Sequence, residues 1–167
     1  IANKEGIPPS GAVTLLRKDP KNLGRRLFST HCSSCHRYNG HDGRGFPVSE
    51  KQSAADLAGF GSVEWITRLL DHDQYVSEKY FGGTKFKDGT MAKKALAKYN
   101  EEERKLLPEI AKLLANEAQL PYESPLEEDK REELLSLFYN DDLKFEDGRA
   151  CIDCHDIDSE DEGSAPD

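Results

Sequence analysis

Two copies of a five-residue motif constrain this chain more than any other feature. Cysteines three residues apart on a helical turn can bond to the two vinyl groups of one haem, and the histidine that follows can ligate its iron. The copies contain all four cysteines of the 167-residue chain. The motif Cys-x-x-Cys-His occurs at Cys32, Cys35 and His36, and again at Cys151, Cys154 and His155.

Paired cysteines also occur in three other kinds of site. The alternatives are a zinc site built from the two pairs, two local disulfides, and thioredoxin-like redox pairs. A histidine directly after each pair, with no βαβ pattern around either, favours haem attachment over all three. The sequence therefore predicts two covalently attached haem c groups, with His36 and His155 as iron ligands.

A short helix is predicted just before the first motif. Asp19 is a typical N-cap residue and Pro20 suits the first helical position. Leu23, Leu27 and Phe28 then lie on one face, which leads into the first cysteine.

The spacing of Gly24, Phe28 and Cys32 resembles the opening of class I cytochromes c, Gly-x-x-x-aromatic-x-x-x-Cys-x-x-Cys-His. This resemblance implies an all-α, class I cytochrome c fold, in which the glycine lets the first helix pack closely against the last. It also implies that a proline carbonyl accepts a hydrogen bond from the ligand histidine, a role that we assign to Pro47 in the loop "HRYNGHDGRGFP".

A stretch that follows this loop is expected to cover the haem. The segment 53–62 precedes an amphipathic segment from Val63 to Leu70. The apolar side chains expected over the haem are Trp65, Ile66, Leu69 and Leu70.

Met91 is the one methionine of the chain. It stands in "FKDGTMAKK", a predicted loop preceded by Gly82 and Gly83. A lone methionine is ordinarily core filler, but charged residues flank this one. Class I cytochromes place their methionine ligand in a similar loop, so the resemblance implies that Met91 is the second axial ligand of the first haem.

A helix after Met91 is expected to complete the first domain, 1–118, of which 1–19 is an N-terminal extension. Asn100 is the predicted N-cap, with Glu103 at the third position. Pro108 should kink this helix or shift its start. The predicted buried stripe is Leu106, Ile110, Leu113 and Leu114.

Residues 119–167 are expected to form an acidic, incomplete second cytochrome c-like domain. Ser124 and Pro125 predict the start of a helix with an apolar face at Leu134, Leu137 and Phe138. A second helix from about Leu143 should lead into Cys151. The final "SAPD" aligns with "SAAD" at Ser53–Asp56, so the chain is expected to be a piece of a longer protein.

The sixth ligand of the second haem has no candidate of comparable strength. No methionine follows His155. The histidines outside the motifs, His31, His41 and His72, are expected on the surface or in the haem pocket of the first domain. The second iron could be open, could take a ligand from another chain, or could be completed by a longer protein, and we favour the last.

Charge divides the chain into two halves. Residues 1–118 hold 19 basic and 15 acidic side chains, whereas residues 119–167 hold 4 and 17. Blocks of like charge are usually solvated surface, but they can also steer a partner of opposite charge. The resemblance implies the second role for the lysines around Met91, which are Lys85, Lys87, Lys93, Lys94 and Lys98.

The phrases "EGIPPSGAVTLLRKDP", "DLAGFGSVEW" and "YFGGTKFKDGTM" resemble the extracytoplasmic cytochrome c portion associated with cytochrome b in bacterial quinol:cytochrome c reductases. The resemblance implies an electron carrier between a quinol-oxidising, cytochrome b-containing membrane complex and a soluble acceptor such as another cytochrome. It also implies a periplasmic or otherwise extracytoplasmic location, with any membrane association through a partner or a missing segment.

Other function classes fit the sequence less well. A diheme peroxidase-like enzyme and a haem-based gas sensor both need an open second haem, and we find no acid-base pair near His155 and no output domain. No stretch approaches the roughly 20 apolar residues of a spanning helix. We expect neither a nucleic-acid partner nor a direct membrane span in this chain.

Overall fold

The computed structural model describes residues 2–48, 53–139 and 150–157. Over these residues the backbone forms helices, turns and loops without a β-strand, and its bridges are isolated pairs, Tyr38 with His41 and His41 with Pro47. The predicted all-α class is confirmed. The chain forms two compact units, Ile1–Ala58 and Gly59–Asp167. The division into haem domains at residue 118 stays a prediction.

The first unit consists of short helices that lead into the first motif. They are α1 (Ala2–Glu5), α2 (Ala12–Lys18) and α3 (Pro20–Leu27), and a π-helical turn, Phe28–Cys32, continues from α3. Asp19 caps α3 as predicted, because its side chain accepts a hydrogen bond from the Lys21 amide at 3.1 Å and Pro20 occupies the first position. A local sequence signal therefore determines where α3 begins.

The second unit contains the larger apolar core. Its α-helices are α4 (Val63–Leu69), α5 (His72–Tyr75), α6 (Glu101–Glu117) and α7 (Glu128–Tyr139). Its described residues also form a 3₁₀ turn at Lys85–Asp88, a π-helical segment at Met91–Leu96 and a 3₁₀ turn at Cys151–Asp153. The largest fully buried side chains are Tyr80, Leu96, Leu113 and Leu134.

Helix α6 begins as predicted but buries a broader surface than predicted. Asn100 and Glu103 form the full capping box, and the helix continues through Pro108 without a shifted start. Ile110 and Leu113 are buried as expected. Leu106 and Leu114 are only partly buried, whereas Leu107, Ala111 and Ala115 are buried instead. The reason is that α6 packs against both α4 and α7.

Helix α7 begins at Glu128, so its predicted start at Pro125 is wrong. The preceding segment is held by α6, since the Leu126 amide donates to the Asn116 side-chain oxygen at 2.8 Å. An ion pair between Arg131 and Glu117, 2.8 Å long, adds a second link between the two helices. Leu134 and Phe138 are buried as predicted, and Leu137 is partly buried.

Two predictions fall on residues outside the described part of the chain. They are the helix from about Leu143 and the alignment of Ser164–Asp167 with Ser53–Asp56. Among the described residues, no helix has both the length and the apolar character needed to cross a bilayer.

Candidate haem-binding site

The first motif folds into one tight turn at the end of the π-helical segment. The Cys35 amide donates to the Cys32 carbonyl at 3.1 Å, and the His36 amide donates to the same carbonyl at 2.8 Å. Cys32 and His36 are partly buried, and Cys35 is exposed. One turn of backbone therefore brings the two thiols and the imidazole together.

The His36 ring is oriented by a backbone carbonyl. Its Nδ1 lies 2.7 Å from the carbonyl oxygen of Ala55. Because a carbonyl can only accept, Nδ1 carries the proton and Nε2 keeps its lone pair. A histidine fixed in this way is suited to ligate a metal through Nε2.

The assignment of this carbonyl to Pro47 is wrong. Pro47 pairs instead with His41, within its own loop. The segment after the loop runs beside the motif, where the Ala54 amide donates to the Cys35 carbonyl at 3.2 Å and the Leu57 amide donates to the Arg37 carbonyl at 2.8 Å. These two hydrogen bonds place the Ala55 carbonyl at His36.

Asp56 is a positioning residue that sequence reasoning missed. Its carboxylate is 4% exposed and accepts three backbone hydrogen bonds, from Asn39 and Gly40 at 2.8 Å and from Ala58 at 2.9 Å. It thus joins the start of the glycine-rich loop to the segment that holds His36. The sequence signal that could have identified Asp56 is the aspartate that the segments "SAAD" and "SAPD" share.

A pocket of about 480 Å³ lies within the first unit. Phe28 and Tyr38 contact each other edge to face in its wall, with ring centroids 5.9 Å apart. Arg25 and Arg44 add two cations to the aromatic lining. Cys32, Cys35 and His36 do not line this pocket, so it does not locate the haem.

Met91 is the first residue of the π-helical segment Met91–Leu96, so its predicted loop conformation is wrong. The segment is helical because Ala92, Ala95 and Leu96 are buried on one side of it. Met91 is itself partly buried and lies in the second unit. Its role as an iron ligand stays a prediction.

The lysines near Met91 in sequence are exposed. Lys93 forms an ion pair of 3.3 Å with Asp88, and the Lys85 ammonium lies 5.2 Å from the centre of the Phe86 ring. Both contacts are at the surface, where such pairs contribute little to stability. They leave these lysines accessible to solvent.

The second motif forms a turn with the same hydrogen bonds as the first. The Cys154 amide donates to the Cys151 carbonyl at 3.2 Å, and the His155 amide donates to it at 2.9 Å. The Asp153 side chain accepts from the Ala150 amide at 2.7 Å and caps the turn. Both copies therefore present two thiols and a histidine from equivalent backbone positions.

Two tyrosines contact the second turn, and neither was predicted. The Tyr99 phenol oxygen lies 3.7 Å from Cys151 Sγ, and burial raises the pKa of both groups. The Tyr139 hydroxyl lies 2.8 Å from an Asp156 carboxylate oxygen and accepts from the Ile157 amide at 3.2 Å. No motif spacing indicates such contacts, because they depend on how α6 and α7 pack.

The sequence of this chain matches the family model for cytochrome c over residues 22–109, slightly more than half of its length. The chain belongs to the cytochrome c family. It is therefore an electron-transfer haem protein with covalently bound haem c. It matches no curated protein and no solved structure.

The cytochrome c match includes the first motif, Met91 and the start of α6, and it ends before the second motif. The residues of the first turn fit haem c, since both thiols are free and His36 has its Nε2 lone pair available. The cysteines of the second turn are likewise not joined in a disulfide. In the described parts of the chain, no three His, Cys, Asp or Glu side chains form a cluster that could hold a metal ion.

The remaining histidines of this cytochrome c have surface or loop positions. His31 is exposed, and His72 contacts Asp73 at 3.3 Å. His41 accepts a hydrogen bond at Nδ1 from the Gly43 amide at 2.9 Å. His41 thereby helps to shape the glycine-rich loop.

Proposed function

We propose that this cytochrome c carries two covalent haem c groups and transfers electrons between them. The observation that supports two groups is the equivalence of the two turns. In each, the amides of the second cysteine and of the histidine donate to the carbonyl of the first cysteine, at 2.8 to 3.2 Å. A haem-attachment turn that differed between the copies would argue against a shared role.

Each functional side chain has a defined task in this proposal. The cysteines hold the haems by thioether bonds, and the histidines ligate iron. Met91 supplies a soft thioether ligand to the first haem, which favours the ferrous state. Bound haem c supplies an iron that cycles between its ferric and ferrous states. The residues are Cys32, Cys35, His36, Met91, Cys151, Cys154 and His155.

We further propose that electrons enter from a quinol-oxidising, cytochrome b-containing membrane complex and leave to a soluble acceptor such as another cytochrome. This scheme places the chain outside the cytoplasm. The exposed lysines near Met91 support an acidic redox partner, because a local excess of positive charge accelerates encounter with a negative surface.

The count of two haems is tested by measuring haem per chain. The pyridine haemochrome spectrum and the intact mass of the matured protein should both give two groups. The double variant Cys151→Ala, Cys154→Ala should give one. The control Ser136→Ala alters an exposed side chain of α7 and should keep two. One haem in the unaltered protein would falsify the proposed count.

Carbon monoxide distinguishes the carrier from an enzyme or sensor with an open second haem. The gas binds ferrous haem only where a coordination position is vacant or weakly held. A carrier with two fully ligated irons should show no change in its reduced spectrum. A response from half of the haem would show that the second site is open in this form, as expected for the peroxidase-like or sensor alternative or for a sixth ligand that a longer protein supplies.

A further inference from the structure

The Tyr99 side chain carries a buried polar group next to the second haem-attachment turn. It is 5% exposed, and its hydroxyl oxygen lies 3.7 Å from the sulfur of Cys151. The two residues are 52 positions apart in the chain and lie in the same compact unit. The contact therefore arises from tertiary packing.

The backbone of Tyr99 is fixed by the start of α6. The Arg104 side chain donates to the Tyr99 carbonyl at 3.0 Å. Asn100, the next residue, is the N-cap in the capping box with Glu103. A tyrosine held at a capped helix start presents its hydroxyl from a rigid element.

Attachment of haem would determine which atom donates in the hydrogen bond between Tyr99 and Cys151. A free thiol can donate or accept, so either atom can be the donor before attachment. A thioether sulfur has no hydrogen, and then only the phenol can donate. Since Tyr99 is buried, its hydrogen bond is stronger than it would be in water.

We propose that Tyr99 is a positioning residue for the second haem c. Its hydroxyl donates a hydrogen bond to the Cys151 sulfur, orients that thioether bond and raises the reduction potential of the haem. The potential rises because the positive end of the O–H dipole favours the extra electron of the reduced state. This inference rests on the proposed second haem.

The first turn provides a natural comparison. There the Ser34 hydroxyl lies 3.8 Å from the sulfur of Cys35, and both residues are exposed. Water competes for an exposed hydroxyl, so this contact should have little effect on the first haem. The two turns thus share an O–H to sulfur contact but differ in its burial.

The test is a redox titration of the matured protein, followed by absorption spectroscopy. Tyr99→Phe should lower one of two midpoint potentials and leave the other unchanged, with two haems still bound. The controls are Ser34→Ala and Tyr75→Phe, which removes the hydroxyl of a similarly buried tyrosine in the same unit. Both controls should keep the two original potentials. Unchanged potentials in Tyr99→Phe would overturn the inference.

A second variant covers the case in which Tyr99→Phe loses a haem or fails to fold. Replacement of Tyr99 by a monofluorinated tyrosine keeps the shape and makes the hydroxyl a stronger donor. It should raise the same midpoint potential, and no shift would overturn the inference. A single haem in the unaltered protein would contradict both the proposed function and this inference. Two haems in the unaltered protein, with potentials that neither Tyr99 variant changes, would contradict only the role of Tyr99.

Discussion

At the level of single residues, the carbonyl that orients His36 is positioned by the neighbouring Asp56 carboxylate. The Ala55 carbonyl that accepts from His36 belongs to the peptide group shared with Asp56. Asp56 is held in turn by three backbone amides on both sides of the loop. Fixing Asp56 therefore also fixes the acceptor of the ligand histidine.

Asp56→Asn should lower the free energy of unfolding of the haem-loaded protein by about 2 kcal/mol. The variant loses the negative charge, keeps one oxygen acceptor and places an NH₂ donor against at least one of the three backbone amides. A urea titration measures this change. The matched control is Asp73→Asn, whose side chain is 94% exposed, and it should stay within about 0.5 kcal/mol. Equal effects of the two variants would contradict the positioning role of Asp56.

Tyr99 makes stability sensitive to alkaline pH. Burial raises its pKa above the usual value of about 10, so the folded state keeps the phenol neutral. Below pH 10 the phenol is neutral in both states, and its contribution is constant. Above pH 10 the unfolded state releases the proton and the folded state does not, so stability falls as pH rises. Urea titrations from pH 8 to 11 should show a smaller decline in Tyr99→Phe than in the unaltered protein.

Sequence reasoning found the ligand candidates of this site but not the groups that orient them. The type and spacing of the cysteines and histidines are enough to predict a haem-binding role. The role of the Ala55 carbonyl cannot be predicted in this way, because every residue has a carbonyl and only the fold brings this one to His36. The contacts of Tyr99 and Tyr139 likewise depend on helix packing, which no local pattern encodes.

At the level of elements, the helix starts show which signals are local. The caps of α3 and α6 were predicted correctly, since a capping side chain contacts amides only two or three residues away. The start of α7 was not, because Asn116 of α6 binds the Leu126 amide. The buried stripe predicted for α6 was incomplete because two other helices, α4 and α7, pack against it.

Asn100→Ala should reduce the free energy of unfolding by about 1 kcal/mol, since the Asn100 side chain accepts from the amides of Glu102 and Glu103. Thermal denaturation followed by circular dichroism measures the loss. Asn100→Asp keeps a side-chain acceptor and should retain most of the stability. A deficit of the same size in the aspartate variant would show that the cap is not responsible.

At the level of the whole molecule, the ligand set of the first haem can be tested without knowledge of the partner. Met91→Ala should remove the sixth ligand of the first haem. The reduced variant should therefore have one additional haem that binds carbon monoxide, compared with the unaltered protein. Lys93→Ala, at an exposed neighbour, should not change carbon monoxide binding. Identical spectra for both variants would exclude Met91 as a ligand.

The two attachment turns differ in how a folded chain exposes their thiols. Cys35 is open to solvent, whereas its counterpart Cys154 is partly buried. Cys32 and Cys151 are both partly buried, and beside Tyr99 burial raises the pKa of Cys151. The thiolate is the reactive form of cysteine, so a folded apoprotein would present a poor nucleophile at the second turn. If the second turn holds haem c as proposed, its thioethers should therefore form before Tyr99 packs against Cys151.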